Sequence, residues 1–363
     1  MTRATVVAPA LALLLAAAGV LLLSRARAAL PRDVPKARSL HTFAIPRAGG
    51  FAVWLGFLPA SLAFPPDFPL GAVGWLPPFA ALLVVSALDD AKEVAIVARL
   101  GVHALAALWA AFVIVRFGTP KDMTTFVAAC TIAGVALAIA WSSNLYNFMD
   151  GTDGLAGTMG AIGFAAYGLA ALGGDGAGAR SAQAFFALVA AMLPFLVVNR
   201  PRATMFLGDV GAVPLGFLAA AFGAAGVVEG IWRPWFPLLV FLPFITDATL
   251  TLLRRILQRE RFWEGHRSHH YQRLAQLGAG HGGTLAVYAP LMLGTASTAV
   301  WCRAWAPRTG WWALAFWCGV VLMLFAAIDY HWRKKTQTVA PISVKGRPER
   351  KSAPKRATRR ESQ

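Results

Sequence analysis

The 363-residue chain is predicted to be an all-α, polytopic integral membrane protein, on two observations. Hydrophobic residues make up 57% of it and charged residues only 14%, where a soluble domain carries roughly 25% charged residues; the mean hydropathy is +0.57. The apolar residues also run in stretches close to the roughly 20 residues that a helix needs to cross a bilayer. Backbone polar groups cannot stay unpaired in lipid, so these stretches are expected as helices. Apolar windows place about eleven spans, at 5–23, 47–64, 70–88, 101–116, 124–142, 154–172, 182–199, 210–228, 235–253, 283–302 and 310–330. The scattered glycines fit close helix packing in a membrane.

The first span has arginines after it (Arg25, Arg27, Arg32) and only Arg3 before it. That bias reads as a retained helix with its N-terminus outside, although Ala26-Arg27-Ala28 resembles a signal-peptide cleavage site. On this topology 27 of the 34 lysines and arginines fall on the inner segments and 7 on the outer ones, as the positive-inside rule requires, with the C-terminus inside. Residues 1–330 form the membrane domain. Residues 331–363 are basic, rich in Pro and Ser and without an apolar face, and are expected to be a disordered tail. The net charge of +17 therefore reports topology and contact with anionic membrane lipids, not nucleic-acid binding. Cys130, Cys302 and Cys318 lie in apolar runs with no ligand spacing, and read as small buried side chains.

Polar residues with catalytic potential cluster on the inner side. Asp89-Asp90 ends the third span, and two adjacent carboxylates at the hydrocarbon boundary call for a cation; a solvated helix end would look the same. In Asn144-Leu-Tyr-Asn147-Phe-Met-Asp150-Gly151-Thr-Asp153-Gly154, the residues Asn147, Asp150 and Asp153 recur every third position, so a helical turn would put them on one side. Oxygen ligands without His or Cys suit Mg²⁺; the rival calcium loop lacks its distal Glu, and a capped loop remains the plain alternative. Phe206-Leu-Gly208-Asp209-Val-Gly211 puts one carboxylate between glycines at the start of a span, as a helix cap or as a close approach for phosphate or metal. The longest inner loop carries His266-Arg267-Ser268-His269-His270-Tyr271-Gln272-Arg273. It offers forked donors for a pyrophosphate; zinc would need a further ligand, and a solvated basic loop is the alternative. The first inner loop adds Arg38, His41 and Arg47-Ala-Gly49-Gly50. Asp247 stands inside an apolar run, as a functional acid or as a structural partner of an arginine. Together these groups describe a phosphoryl-transfer site at a lipid interface.

At these residues, from about Arg38 to Arg273, the chain resembles the polyprenyl-phosphate N-acetylhexosamine-1-phosphate transferases, which include the phospho-MurNAc-pentapeptide translocase and the enzymes that initiate O-antigen synthesis. Five motifs occur in the family's order: Arg38 to Gly50, Asp89-Asp90, Asn144 to Ala156, Asn199 with Phe206 to Gly211, and His266 to Arg273. Ala212 departs from the family's usual Ser. The last loop resembles the O-antigen-initiating branch more than the peptidoglycan branch. The resemblance implies a multi-pass protein of the bacterial inner membrane with its active site on the cytoplasmic face. It implies transfer of sugar 1-phosphate from a UDP-N-acetyl sugar to polyprenyl phosphate, with Mg²⁺ as cofactor and Mn²⁺ as a substitute. It also implies Asn147 and Asp209 as metal ligands, with Asp209 catalytic alongside Asp89 and Asp90, which position the acceptor phosphate or the metal. Arg47 and Asn144 are expected to bind substrate, Asp150 and Asp153 to shape the nucleotide-sugar site, and His266, Arg267, His269 and Arg273 to hold the diphosphate. The sugar and the oligomeric state, including a homodimer, stay open. A secondary transporter, with midplane polar residues and an internal repeat, and a lipid-binding scaffold are the other two classes.

Overall fold

The computed structural model describes residues 3–35, 40, 43–65, 71–92, 94–119, 123–172, 176–261 and 266–339. Arg38 and His41 of the first inner loop lie outside them. Helix α1 (Arg3–Arg25) is followed by a two-residue antiparallel ribbon, β1 (Arg32–Asp33) and β2 (Ile45–Pro46), in which Arg32 pairs with Pro46. Helices α2 (Gly49–Ala63), α3 (Gly71–Lys92), α4 (Ile96–Gly118), α5 (Thr125–Met149), α6 (Leu155–Leu172), α7 (Gly176–Asn199) and α8 (Asp209–Val228) follow. The chain continues through α9 (Trp235–Val240), α10 (Leu242–Leu257), α11 (His270–Leu274), a π turn (Ala275–Ala279), α12 (Gly280–Trp305) and α13 (Gly310–Val339). Every expected span contains a helix, and nine of the helices among the described residues are long and apolar enough to cross a membrane.

Two expected spans fall short of that length. Helix α2 has 15 residues. The span expected at 235–253 breaks at Phe241 into α9 and α10, because Pro243 has no amide hydrogen to bond back into the preceding turn. The expected tail boundary is also corrected: α13 runs on to Val339. Its end is tied down, with Lys335 Nζ donating to the Gln276 carbonyl at 2.6 Å and Trp332 lying under the Arg273 guanidinium. Tertiary contacts thus continue a helix that composition alone would have ended.

Helix α8 is buried along nearly its whole length and forms the axis of the bundle, packed by α2, α3, α4 and α5. Helices α1, α2 and α7 form one flank, and α9, α12 and α13 another. The core round α8 is aromatic: Trp54, Trp75, Phe79 and Phe222 meet edge to face, the geometry that ring quadrupoles favour. This packing brings the last turns of α3 and α5 and the first turns of α2 and α8 to the same end of the bundle.

Candidate active site

The strand residue before Arg47 and the chain before α8 are stitched together by backbone. Phe206 N–H donates to Pro46 O at 2.8 Å, Gly49 N–H to Phe206 O at 2.8 Å and Gly50 N–H to Leu207 O at 2.9 Å. The Trp54 indole nitrogen donates to Val210 O at 2.7 Å. The start of α2, just after Arg47, is thereby locked against the start of α8, which carries Asp209. Gly208 sits at φ 74°, and a side chain there would place its Cβ 2.8 Å from Asp90 Oδ2. The turn that presents Asp209 therefore demands glycine.

The paired aspartates take different partners. Asp89 forms a close ion pair with Arg99 and accepts the Val94 N–H at 2.7 Å. Asp90 accepts the Val210 N–H at 3.0 Å and faces Arg47 Nη1 at 3.4 Å, while the other guanidinium nitrogen of Arg47 meets Asp33 at 2.7 Å. Asp209 Oδ2 stands 3.4 Å from Arg99 Nη1 and accepts from Asn147 Nδ2 at 3.1 Å. Arg99 thus bridges Asp89 and Asp209. Asp150 caps the end of α5 beside them. Removal from water pushes its carboxyl well above the usual carboxylate range, and the charges of Asp209 and Asp90 add to the rise.

This donor set is made of oxygens and has more negative charge than the two arginines offset, which is the chemistry of a hard divalent cation. A half-turn of the Asn147 amide would present its oxygen beside Asp209. Among the described residues, no three His, Cys, Asp or Glu side chains are close enough to enclose a metal; Arg99 occupies the space between the carboxylates. The donor chemistry fits Mg²⁺, with Asp209 and Asn147 as the residues that would hold it.

Other expected site residues go elsewhere. Helix α5 ends at Met149, so Asn147, Asp150 and Asp153 do not share one helical face. Asp153 turns to a separate network: Oδ2 accepts the N–H groups of Arg202 and Ala203 at 3.0 and 3.1 Å, and His281 Nδ1 lies 3.0 Å from Oδ1. A protonated His281 donates to that carboxylate; a neutral ring instead accepts the Asp153 N–H, 3.1 Å away. Asn144 donates within its own helix to Ala140 O, and Asn199 clamps Gly154 N–H and Met205 O. Arg273 is buried and directed at Asp329 at 2.5 Å, not at the carboxylate cluster. Asp329 was absent from the expected site because it lies in an otherwise ordinary last span. The structure does bring the histidine loop to the Asp150 turn: the His269 ring stacks on Phe148, His266 stacks on His269, and the Tyr271 hydroxyl donates to Phe148 O. Arg267 beside them is exposed.

The residue that sequence reasoning missed is Arg99, counted there only as inner-side charge. Its signal was position: it lies in the first turn of α4, the end of a helix that disfavours cations. A cation placed there needs a carboxylate partner.

Asp153 gives a stability prediction. Burial, the largest single influence, raises its carboxyl, but His281 and the Ala203 and Arg202 N–H groups outweigh it and hold the group below its usual range. A carboxyl lowered by folding stabilises above its unfolded value, near 3.9, and that stability is lost as pH falls through the lower folded value. Asp153→Asn should cost about 1–3 kcal/mol at pH 7, by leaving buried donors short of an acceptor. Thermal denaturation should show the gap to wild type narrowing below about pH 4, and also as pH rises past about 6.5 and His281, whose pKa the Asp153 carboxylate raises, loses its proton. An equal gap at pH 3 and pH 7 would refute this account.

Residues 72–226 match the family model described as glycosyl transferase family 4. That stretch contains Asp89, Asp90, Arg99, Asn147, Asp150 and Asp209. The probable undecaprenyl-phosphate N-acetylglucosaminyl 1-phosphate transferase of Bacillus subtilis is 26% identical, over 69% of this chain and 71% of its own length. The decaprenyl-phosphate N-acetylglucosaminephosphotransferase of Mycobacterium leprae is 29% identical, over 68% of this chain and 70% of its own. The phospho-N-acetylmuramoyl-pentapeptide-transferase of Thermotoga neapolitana is 30% identical, over 49% and 59% respectively. The comparisons support a transferase, and the helices are those of a membrane-embedded protein. The likeness to glycosyl transferase family 4 is carried by residues 72–226 and by these relatives.

Proposed function

We propose that this protein transfers a sugar 1-phosphate from a UDP-N-acetylhexosamine to polyprenyl phosphate and releases UMP, as the initiating step of O-antigen or related envelope-glycan synthesis on the cytoplasmic face of the inner membrane. The observation that carries the reading is the meeting of Asp89, Asp90, Asn147, Asp150 and Asp209 with Arg47 and Arg99 at one end of a membrane helix bundle. Similarity to the undecaprenyl-phosphate and decaprenyl-phosphate N-acetylglucosamine phosphotransferases supports the substrate classes.

In this reaction an oxygen of the acceptor phosphate attacks the phosphorus that bears the sugar. The bond from that phosphorus to the bridging oxygen breaks, and UMP leaves with the oxygen. A phosphate monoester has its second pKa near about 6, so the acceptor is largely dianionic at neutral pH and needs no strong general base. Asp90 is then free for the task its contacts suit, joining α3 to the start of α8 and orienting Arg47. Arg99 and Arg47 are the cations that would meet phosphate oxygens, and Asp209 with Asn147 would hold Mg²⁺. When bound, Mg²⁺ supplies charge neutralisation to the diphosphate and the leaving group. Asp150 would shape the nucleotide-sugar pocket, and His266, Arg267 and His269 would line its diphosphate side.

The test is UMP release by purified protein in native-like lipid, with undecaprenyl phosphate and a panel of UDP-N-acetyl sugars: GlcNAc, GalNAc, FucNAc and QuiNAc. Release is expected with one donor, only when the lipid is present, and is expected to stop on EDTA and return with Mg²⁺ or Mn²⁺. Release without lipid, or a phosphorylated Asp90 trapped with donor alone, would overturn direct attack. Absence of release with every donor would overturn the function.

A further inference from the structure

One buried carboxylate has no part in this chemistry. Asp247, on α10, is 0% exposed, and a charge there is tolerable only if donors occupy its lone pairs. They do. Oδ1 accepts the His270 N–H at 2.8 Å and the Thr251 hydroxyl at 3.2 Å, and lies 3.1 Å from His270 Nδ1. Oδ2 accepts the Tyr271 N–H at 3.0 Å and the Tyr288 hydroxyl at 2.6 Å. No arginine is among these partners; Arg254 and Arg273 pair with Asp329 instead. Asp247 therefore ties α10 and α12 to the chain at the start of α11.

What is tied reaches the Asp150 turn. Tyr271, whose N–H Asp247 accepts, donates its hydroxyl to Phe148 O at 2.9 Å. That hydroxyl fills the space over Gly151, where a Cβ would meet it at 2.2 Å. The His269 ring lies between Tyr271 and Phe148, with centroids at 5.7 and 6.0 Å, and the His266 ring stacks on it at 4.8 Å. On the other side the His270 ring is held between Asp247 and Phe325, stacked at 4.0 Å. A change at Asp247 has a continuous packed route to His266.

We propose that Asp247 is a positioning residue: by fixing the backbone at His270 and Tyr271 it sets the His266–His269 segment over the Phe148–Gly151 turn, where that segment meets the donor's diphosphate. The assignment rests on the transferase reading above. It makes Asp247 specific to donor binding, since none of its partners touches Asp89, Asp90 or Asp209.

The experiment uses the full chain in lipid nanodiscs, as wild type, Asp247→Asn and Tyr288→Phe. Hydrogen–deuterium exchange of residues 266–273 is followed together with the KM for the active UDP-sugar and for undecaprenyl phosphate. Asp247→Asn is expected to speed exchange in 266–273, leave α5 and α8 protected, and raise the donor KM by about 10–100-fold with the acceptor KM within about twofold. Tyr288→Phe, which removes one donor and no charge, should shift the same quantities in the same direction by about 3–10-fold; it decides the matter if Asp247→Asn does not fold. Unchanged exchange and donor KM, or donor and acceptor KM rising together, would overturn the positioning role. Wild type that releases no UMP would overturn the transferase reading, and exchange would still show whether Asp247 orders the segment.

Discussion

Asp209→Asn should lower UMP release by about 10³-fold, the scale of losing one preorganised electrostatic contact to the transferring group, without destabilising the protein. Asn keeps the shape of Asp and can still accept from Asn147, which stands 3.1 Å away. What it removes is the negative charge, close to Asp89 and Asp90, that would hold the metal. Like charges in a partly buried cluster repel, so the variant's thermal stability should equal or exceed that of wild type. Raising Mg²⁺ should recover part of the rate. Release within about tenfold of wild type at ordinary Mg²⁺ would remove Asp209 from the chemistry, and a large drop in melting temperature would mean that its role is structural.

Gly50→Ala should damage both fold and activity, and the sign is decided by packing. Helix propensity favours alanine over glycine by about 1 kcal/mol. Against this, the new methyl would lie 2.5 Å from Gly211 N and 2.6 Å from Gly211 Cα. Those are backbone atoms of α8 that cannot rotate away, so α2 and α8 must separate. Overpacking of this kind costs about 1–3 kcal/mol and outweighs the propensity gain. The separation also moves Arg47 relative to Asp209, and a displacement near 1 Å can cost about 10²-fold in rate. Gly134 on α5 is the internal comparison, because a Cβ there meets nothing within 4 Å; Gly134→Ala should be neutral or mildly stabilising. Melting curves and UMP release measured on both variants give the answer. Equal stability and activity of the two would show that the α2–α8 contact is not what sets the site.

The two predictions sit at opposite ends of what can be read from sequence. Asp209 was legible as one carboxylate between glycines at the start of an apolar run. Gly50 was legible as the end of the first inner motif, but not why it must be small, because that comes from Gly211, which lies far along the chain. Arg99 shows the same limit. Its charge was visible, but its bridging of Asp89 and Asp209 depends on α3, α4 and α8 packing together. The three-residue spacing of Asn147, Asp150 and Asp153 misled, because α5 stops at Met149 and the chain turns Asp153 toward Arg202, Ala203 and His281. The partner of Arg273 was hidden for a related reason: sequence proximity to the histidines said nothing about Asp329 on α13, which pairs with its guanidinium.

The sequence by itself determined the solvent of the fold, the approximate places of the helices and the candidate residues for the proposed chemistry, since hydropathy, charge bias and the run of oxygen-bearing residues are local properties of the chain. Only the tertiary structure decided which of those residues meet. Pairings such as Asp90 with Val210, Arg99 with Asp209 and Asp247 with His270 join positions 120, 110 and 23 residues apart. Such contacts are selected by how helices pack and where buried charges find donors, and no local pattern in the chain records that choice.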